Sequence, residues 1–130
     1  MIQEPALAPR FGCRVLVVDD DPDVRGAVAD VLQDARCSVA LAGNGREAID
    51  ALERGCAPEL ILLDITMPVM DGWAFLEWKR TRPELATVPT VVLSAARNIE
   101  QRTASLGAAC RVAKPVTMRG LLEVVGRYCA

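Results

Sequence analysis

The chain has 130 residues, of which 52% are hydrophobic and 25% are charged, and its formal net charge is −2. This length and composition predict one soluble globular domain and exclude an intrinsically disordered chain. The small negative charge gives no electrostatic reason to expect nucleic acid, and no apolar run approaches the roughly 18 residues that a membrane span needs.

Histidine is absent from the sequence, whereas cysteine occurs five times. Without histidine the chain cannot itself carry a phosphohistidine, a Ser-His or Cys-His catalytic pair, or an imidazole metal ligand. The cysteines are odd in number and lack C-x-x-C spacing. This pattern favours free, buried thiols in a reducing cytoplasm over a disulfide framework or a zinc site.

The first segment, residues 1–12, carries Pro5 and Pro9 and lacks the apolar core of a signal peptide. We therefore expect a tail at residues 1–12 and a single domain at residues 13–130. Beyond the tail, short aliphatic runs alternate with segments whose apolar residues recur at helical spacing. In chain order the pattern predicts strand 15–18, helix 24–35, strand 38–42, helix 46–54, strand 60–63, helix 73–80, strand 90–93, helix 98–106, strand 110–113 and helix 117–128.

Five successive strand–helix units predict an α/β fold with a parallel sheet covered by helices on both faces. In open sheets of this kind, ligands bind at the carboxyl ends of the strands. The residues that the sequence places at those ends are Asp19, Asp20, Asp64, Ser94 and Lys114. We expect their side chains to lie at one edge of the sheet.

Clustered carboxylates are costly, because two of them repel by about 4 kcal/mol at a 4 Å separation and an effective dielectric near 20. A hard cation such as Mg²⁺, which prefers oxygen ligands, offsets that repulsion. One aspartate can then act as a nucleophile toward phosphorus, while a lysine and a hydroxyl bind the phosphoryl oxygens. Asp21 and Asp23 are excluded from this set, since Pro22 predicts that they begin a helix.

The motifs at these positions resemble the receiver domain of two-component response regulators. They are Val17-Val18-Asp19-Asp20, Leu62-Leu63-Asp64, Met67-Pro68, Asp71-Gly72, Leu93-Ser94-Ala95 and Lys114-Pro115. The resemblance extends over roughly residues 13–129, and the order and spacing of the motifs agree with the family. It implies a flavodoxin-like, doubly wound sheet of strand order 2-1-3-4-5, with a cis peptide before Pro115.

The resemblance also implies a set of roles. Asp64 would accept a phosphoryl group from a phosphohistidine on a partner histidine kinase or phosphotransfer protein. Asp19, Asp20 and Asp64, with the backbone carbonyl of Thr66, would hold Mg²⁺. Ser94 and Lys114 would bind the phosphoryl group. The expected protein is a cytoplasmic phosphorylation-controlled switch and not an enzyme beyond its own phosphorylation and dephosphorylation.

The same resemblance implies further partners. These are a downstream protein target or a separate output domain, and a homodimer through helix 4, strand 5 and helix 5; nucleic acid and membranes are not expected. The last predicted helix reaches the end of the sequence. This leaves open a stand-alone regulator, a phosphorelay shuttle or one domain of a longer protein.

One residue departs from the family pattern. The family usually has an aromatic switch residue three positions before the lysine, where this sequence has Arg111. An arginine cannot enter an apolar pocket as a neutral ring does. Either Arg111 transmits the signal through a salt bridge, or it is exposed to solvent and the domain switches weakly.

Two other functions remain open at this point. An Mg²⁺-dependent phosphatase also forms an aspartyl phosphate and usually has a second aspartate two positions after the nucleophile, a pattern that Asp19 and Asp21 match formally. A receiver-fold interaction module that works independently of phosphorylation is the other alternative. The presence of every pocket residue argues against the module.

Overall fold

A computed structural model describes residues 11–129, in which strands and helices alternate along the chain. In chain order they are β1 (Arg14–Val18), α1 (Pro22–Asp34), β2 (Ser38–Ala42), α2 (Gly45–Glu53), β3 (Leu60–Asp64), α3 (Gly72–Arg80), β4 (Thr90–Ser94), α4 (Glu100–Ser105), β5 (Cys110–Ala113) and α5 (Met118–Cys129). A short 3₁₀ helix, Pro83–Leu85, lies between α3 and β4. Among the described residues, no helix is both long and apolar enough to cross a membrane.

The five strands form one parallel sheet of order β2-β1-β3-β4-β5, which confirms the predicted fold class and strand order. Each of the central strands β3 and β4 is buried along its whole length. This agrees with their continuous aliphatic sequences, because a strand covered on both faces needs apolar residues at every position.

Alternate residues of the strands enter two separate cores. Val15, Val17 and Leu62 face the core that α1 and α5 cover, whereas Leu16 and Leu63 face the core beneath α2 and α3. This division follows from the period of two along a strand. The sheet is therefore held rigidly on both faces, and its carboxyl edge is left for polar residues.

Several helices of this fold begin at a residue whose side chain caps them. Asp21 caps α1 by accepting from the backbone N–H groups of Asp23 and Val24, and Thr117 Oγ1 accepts from Gly120 N at 2.9 Å. The Asp21 cap agrees with the prediction that this residue begins a helix, and Thr117 lies where the last helix was predicted to start. Helix α4 is shorter than predicted and begins after Asn98, whose φ of 59° is left-handed and cannot continue a helix.

The expectation that all five cysteines are free thiols is wrong for two of them. Cys13 and Cys129 form a disulfide with an S–S distance of 2.07 Å, across a sequence separation of 116 residues. Helix α5 runs back along the sheet, so its end meets the start of β1 at the amino edge. Sequence spacing reveals only local pairs and could not detect this one. The other three cysteines are free.

Most of the predicted tail lies outside the described residues. Of that segment only Phe11 and Gly12 are described, and Phe11 packs against the core under α1 and α5. Its backbone N–H donates to Ala35 O at 2.9 Å. Ordered packing therefore begins before residue 13, the first residue of the predicted domain.

Candidate phosphoacceptor and metal site

Three carboxylates meet at the carboxyl edge of the sheet. One oxygen from each of Asp19, Asp20 and Asp64 lies within 4.8 Å of the others. Asp19 is 3% exposed and Asp64 7% exposed, whereas Asp20 is exposed to solvent. The three side chains therefore meet at one edge of the sheet, as predicted, in a cleft with two buried walls and one open side.

Asp19 is held in place by backbone contacts at the end of β1. Its N–H donates to Ala42 O at 3.0 Å, and its Oδ1 accepts from Asp21 N at 2.9 Å. The Arg25 guanidinium donates to the Asp19 carbonyl at 2.7 Å. Sequence reasoning gave Arg25 no role, because nothing local in the helix pattern links it to the preceding turn.

Lys114 brings a positive charge between the two buried carboxylates. Its Nζ lies 2.9 Å from Asp19 Oδ2 and 3.5 Å from Asp64 Oδ1. The residue follows β5, its N–H donates to Ser94 O at 3.0 Å, and its peptide bond to Pro115 is cis. The Lys114 ammonium group therefore lies beside both carboxylates at the carboxyl edge.

The charges in this cleft shift each other's protonation. Burial raises the pKa of the Asp64 carboxyl above its ordinary value, and the Asp19 charge adds to the rise while Lys114 opposes it. For Lys114, burial acts to lower the pKa, but the hydrogen bond to Asp19 and the two negative charges outweigh it and raise the pKa overall. Lys114 thus stays a cation at neutral pH.

Ser94 ends β4 beside this cleft and is 3% exposed. Its Oγ accepts a hydrogen bond from Ala96 N at 3.0 Å. In the sheet register Asp64 pairs with Leu93 and Ser94 pairs with Ala113. The predicted hydroxyl therefore lies at the same edge as Asp64 and Lys114. Thr66 follows in the exposed loop after β3, and the use of its carbonyl as a metal ligand stays a prediction.

Gly72 is a site residue that was predicted only as part of a loop. A Cβ atom at this position would lie 2.6 Å from the Asp64 carbonyl oxygen and 2.8 Å from Ile65 Cα. The Gly72 N–H donates to Ile65 O at 2.8 Å. Only glycine permits this approach, which fixes the backbone of Asp64 against the start of α3.

Two sequence alternatives can be judged at this site. Asp21, which matched the phosphatase pattern formally, uses its carboxylate to cap α1. Arg111 is not a solvent-exposed residue, since its side chain is 14% exposed and bonded to Glu100. The interpretation in which Arg111 points freely into solvent is therefore wrong.

The donor set fits Mg²⁺. All three side chains offer carboxylate oxygen, and their 4.8 Å spread is on the scale of the roughly 4 Å that separates opposite ligands in an octahedral magnesium shell. The open side at Asp20 leaves room for the waters that Mg²⁺ retains. The geometry can therefore bring a cation, a carboxylate nucleophile and an ammonium group to one phosphoryl group.

Comparison with known proteins agrees with this geometry. A family model described as the response regulator receiver domain matches residues 15–126. The chain belongs to this family. The chemotaxis response regulator CheY4 of Vibrio cholerae, itself a solved structure, is 32% identical to this receiver domain, with a TM-score of 0.82 and coverage of 89% of this chain and 98% of that chain.

Two curated relatives show different extents of similarity. An uncharacterized 14.6 kDa protein of Leptolyngbya boryana is 38% identical over 88% of both chains. The transcriptional regulatory protein PrrA of Mycobacterium tuberculosis is 39% identical over 90% of this chain but only 48% of its own length. The receiver domain thus spans about half of that regulator, whose remaining part has no counterpart in the match.

Proposed function

We propose that this receiver domain is a phosphorylation-controlled signalling switch whose phosphoacceptor is Asp64. The proposal depends above all on the placement of Lys114, 2.9 Å from Asp19 and 3.5 Å from Asp64 at the carboxyl edge of the sheet. A structural aspartate at a strand end has no need of both a second buried carboxylate and a half-buried ammonium group.

In this reaction an ionised Asp64 oxygen attacks the phosphorus of a phosphohistidine on a partner protein. The P–O bond forms as the P–N bond breaks, and the imidazole leaves on the donor. Lys114 and Ser94 bind the phosphoryl oxygens. Mg²⁺ bound by Asp19, Asp20, Asp64 and the Thr66 carbonyl would supply the positive charge that lets phosphoryl oxygen approach carboxylate. The chain is thus modified at its own Asp64, and we do not propose that it catalyses a reaction of any other substrate.

An apolar groove beside Lys114 supports a protein donor. It has a volume of about 400 Å³, and its lining includes Val24, Val28, Ala95 and Pro115. Because this groove adjoins the site, a histidine kinase or phosphotransfer protein that packs into it brings its phosphohistidine to Asp64. We assign no nucleic acid or membrane to this surface.

The output and location are also proposals. We propose a downstream protein or separate output domain as the target, with homodimerisation through α4, β5 and α5. The proposed compartment is the cytoplasm. The Cys13–Cys129 disulfide argues against this compartment, since such bonds are rare in reducing compartments.

Intact-mass measurement with acetyl phosphate tests the phosphoacceptor. In Mg²⁺ the wild-type chain should gain one phosphoryl group, Asp64→Asn should gain none, and chelation of Mg²⁺ should prevent the gain. Asp30→Asn is the matched control, because Asp30 is an exposed aspartate on α1. Modification of Asp64→Asn to the wild-type extent would refute the assignment. A wild-type chain that resists both acetyl phosphate and beryllofluoride would instead support the phosphorylation-independent interaction module.

A further inference from the structure

Arg111 makes an unusual set of contacts with the loop that follows β4. Its guanidinium donates to the carbonyl oxygens of Ser94, at 3.1 Å, and Ala96, and it forms an ion pair with Glu100 at 3.0 Å. Its side chain is 14% exposed. One side chain of an edge strand therefore holds both ends of the segment between β4 and α4.

The held segment includes the hydroxyl that the proposed function requires. Ser94 Oγ accepts from Ala96 N, while the carbonyls of these two residues accept from Arg111. The Ser94 carbonyl also accepts from Lys114 N. Movement of Ser94 toward a phosphoryl group on Asp64 therefore requires that the Arg111 contacts lengthen or break.

Arg111 also tethers a helix that lacks a side-chain cap. Helix α4 has six residues, and Ile99 at its N-cap position provides no side-chain hydrogen bond. Glu100, the first residue of the helix, pairs with Arg111 instead. Loss of this pair would leave the start of α4 with neither cap nor tether.

One hydrogen-bond donor of the Arg111 side chain is left without a partner. Its Nε is buried and has no hydrogen-bond partner among the described residues. A buried donor without a partner is unfavourable. If the Arg111 side chain moves to a position where Nε contacts water, the gain offsets part of the free energy lost when its other hydrogen bonds break. The two positions of the Arg111 side chain are therefore closer in free energy than they would be if every donor were paired.

We propose that Arg111 is a positioning residue that holds the β4–α4 loop and the start of α4 in the unphosphorylated arrangement. Phosphorylation draws Ser94 toward Asp64 and releases the guanidinium and Glu100. This inference rests on the proposed function of Asp64. It assigns a polar, arginine-based coupling to this receiver domain.

Thermodynamic linkage determines whether removing Arg111 should strengthen or weaken the binding of a phosphoryl mimic. If Arg111 stabilises the arrangement that binds a phosphoryl group poorly, its removal must strengthen that binding. Arg111→Ala should therefore bind beryllofluoride, in Mg²⁺, about 5-fold or more tightly than the wild-type chain. Arg111→Lys should also bind more tightly, because an ammonium group lacks the planar fork that reaches two carbonyls and a carboxylate together.

Tryptophan fluorescence provides the titration signal. The Trp73 ring on α3 lies 3.9 Å from the Arg102 guanidinium on α4, so movement of α4 changes its surroundings. Glu100→Gln, which removes only the ion pair, should give a smaller gain in affinity. Arg119→Ala is the control, since Arg119 is 90% exposed on α5, and its affinity should equal that of the wild type.

Hydrogen exchange provides a second measurement that needs no ligand. Amides of residues 96–100 should exchange faster in Arg111→Ala than in the wild type, and beryllofluoride should remove most of that difference. Equal or weaker beryllofluoride binding by Arg111→Ala would overturn the proposal, since mere structural damage weakens binding. If the wild-type chain itself binds no beryllofluoride, the proposed function and the release step fail, whereas the exchange comparison still decides whether Arg111 holds the loop.

Discussion

The two edges of this sheet have opposite chemistry. At the carboxyl edge, Asp19, Asp64 and Lys114 place three charged groups in a cleft. At the amino edge, Cys13 at the start of β1 is covalently joined to Cys129 at the end of α5. Burial of charge opposes folding, and a covalent cross-link favours it. The comparison suggests that one edge is built for reaction and the other for stability.

The largest expected effect comes from removing the disulfide at the amino edge. Cys129→Ser removes the cross-link between residues that are 116 positions apart in sequence. The free energy of unfolding in urea should fall by about 2–4 kcal/mol. Phosphorylation by acetyl phosphate below the unfolding transition should remain at the wild-type rate, because Asp64 lies at the other edge.

Cys56→Ser is the matched control for this change. Cys56 is a half-buried free thiol, so its replacement should have little effect on unfolding. A reducing agent should destabilise the wild type to the level of Cys129→Ser and leave that variant unaffected. A wild-type chain whose stability does not respond to reductant would contradict the structural role of the bond.

Gly72→Ala tests whether the carboxyl edge also depends on close packing. The added Cβ would lie 2.6 Å from the Asp64 carbonyl, so the backbone must shift. We expect the free energy of unfolding to fall by about 1–3 kcal/mol, together with slower phosphorylation of Asp64. Gly26→Ala in α1, where an added Cβ meets nothing within 4 Å, should instead stabilise by about 0.5–1 kcal/mol. Equal stability of the two variants would disprove this packing constraint.

The smallest effect concerns the charge of Asp64. Burial raises the pKa of this carboxyl, so the folded state binds its proton more readily than the unfolded state. The ionised group therefore costs stability at neutral pH, and the cost disappears as pH falls through the folded pKa. Without Mg²⁺, Asp64→Asn should exceed the wild type in unfolding free energy by on the order of 1 kcal/mol at pH 7.

Urea unfolding measured from neutral to acidic pH tests whether the ionised Asp64 carboxylate lowers stability. The advantage of Asp64→Asn should shrink as the wild-type carboxyl becomes protonated, and Mg²⁺ should stabilise the wild type more than the variant. Asp30→Asn should show no such dependence on pH. An Asp64→Asn variant that is less stable than the wild type at neutral pH would mean that Lys114 outweighs the cost of burial.

The sequence pattern predicted the alternation of strands and helices and the edge at which the polar strand-end residues meet, and the resemblance to receiver domains added the strand order. Leu60 to Leu63 and the Asp64 that follows contain a complete local signal, because an apolar run predicts a buried strand and the residue after it must lie at the carboxyl edge. Since all strands are parallel, strand-end residues far apart in sequence meet at one edge. The roles proposed for them come from the resemblance to receiver domains.

Features that depend on distant parts of the chain could be found only in the folded structure. The Cys13–Cys129 bond, the approach of Gly72 to Asp64 and the Arg111 contacts each join segments whose distance is set by packing. A periodic pattern reports which face of an element is apolar but not how far that face lies from another element. The partner of a single charged or small residue is therefore invisible until the fold brings both together.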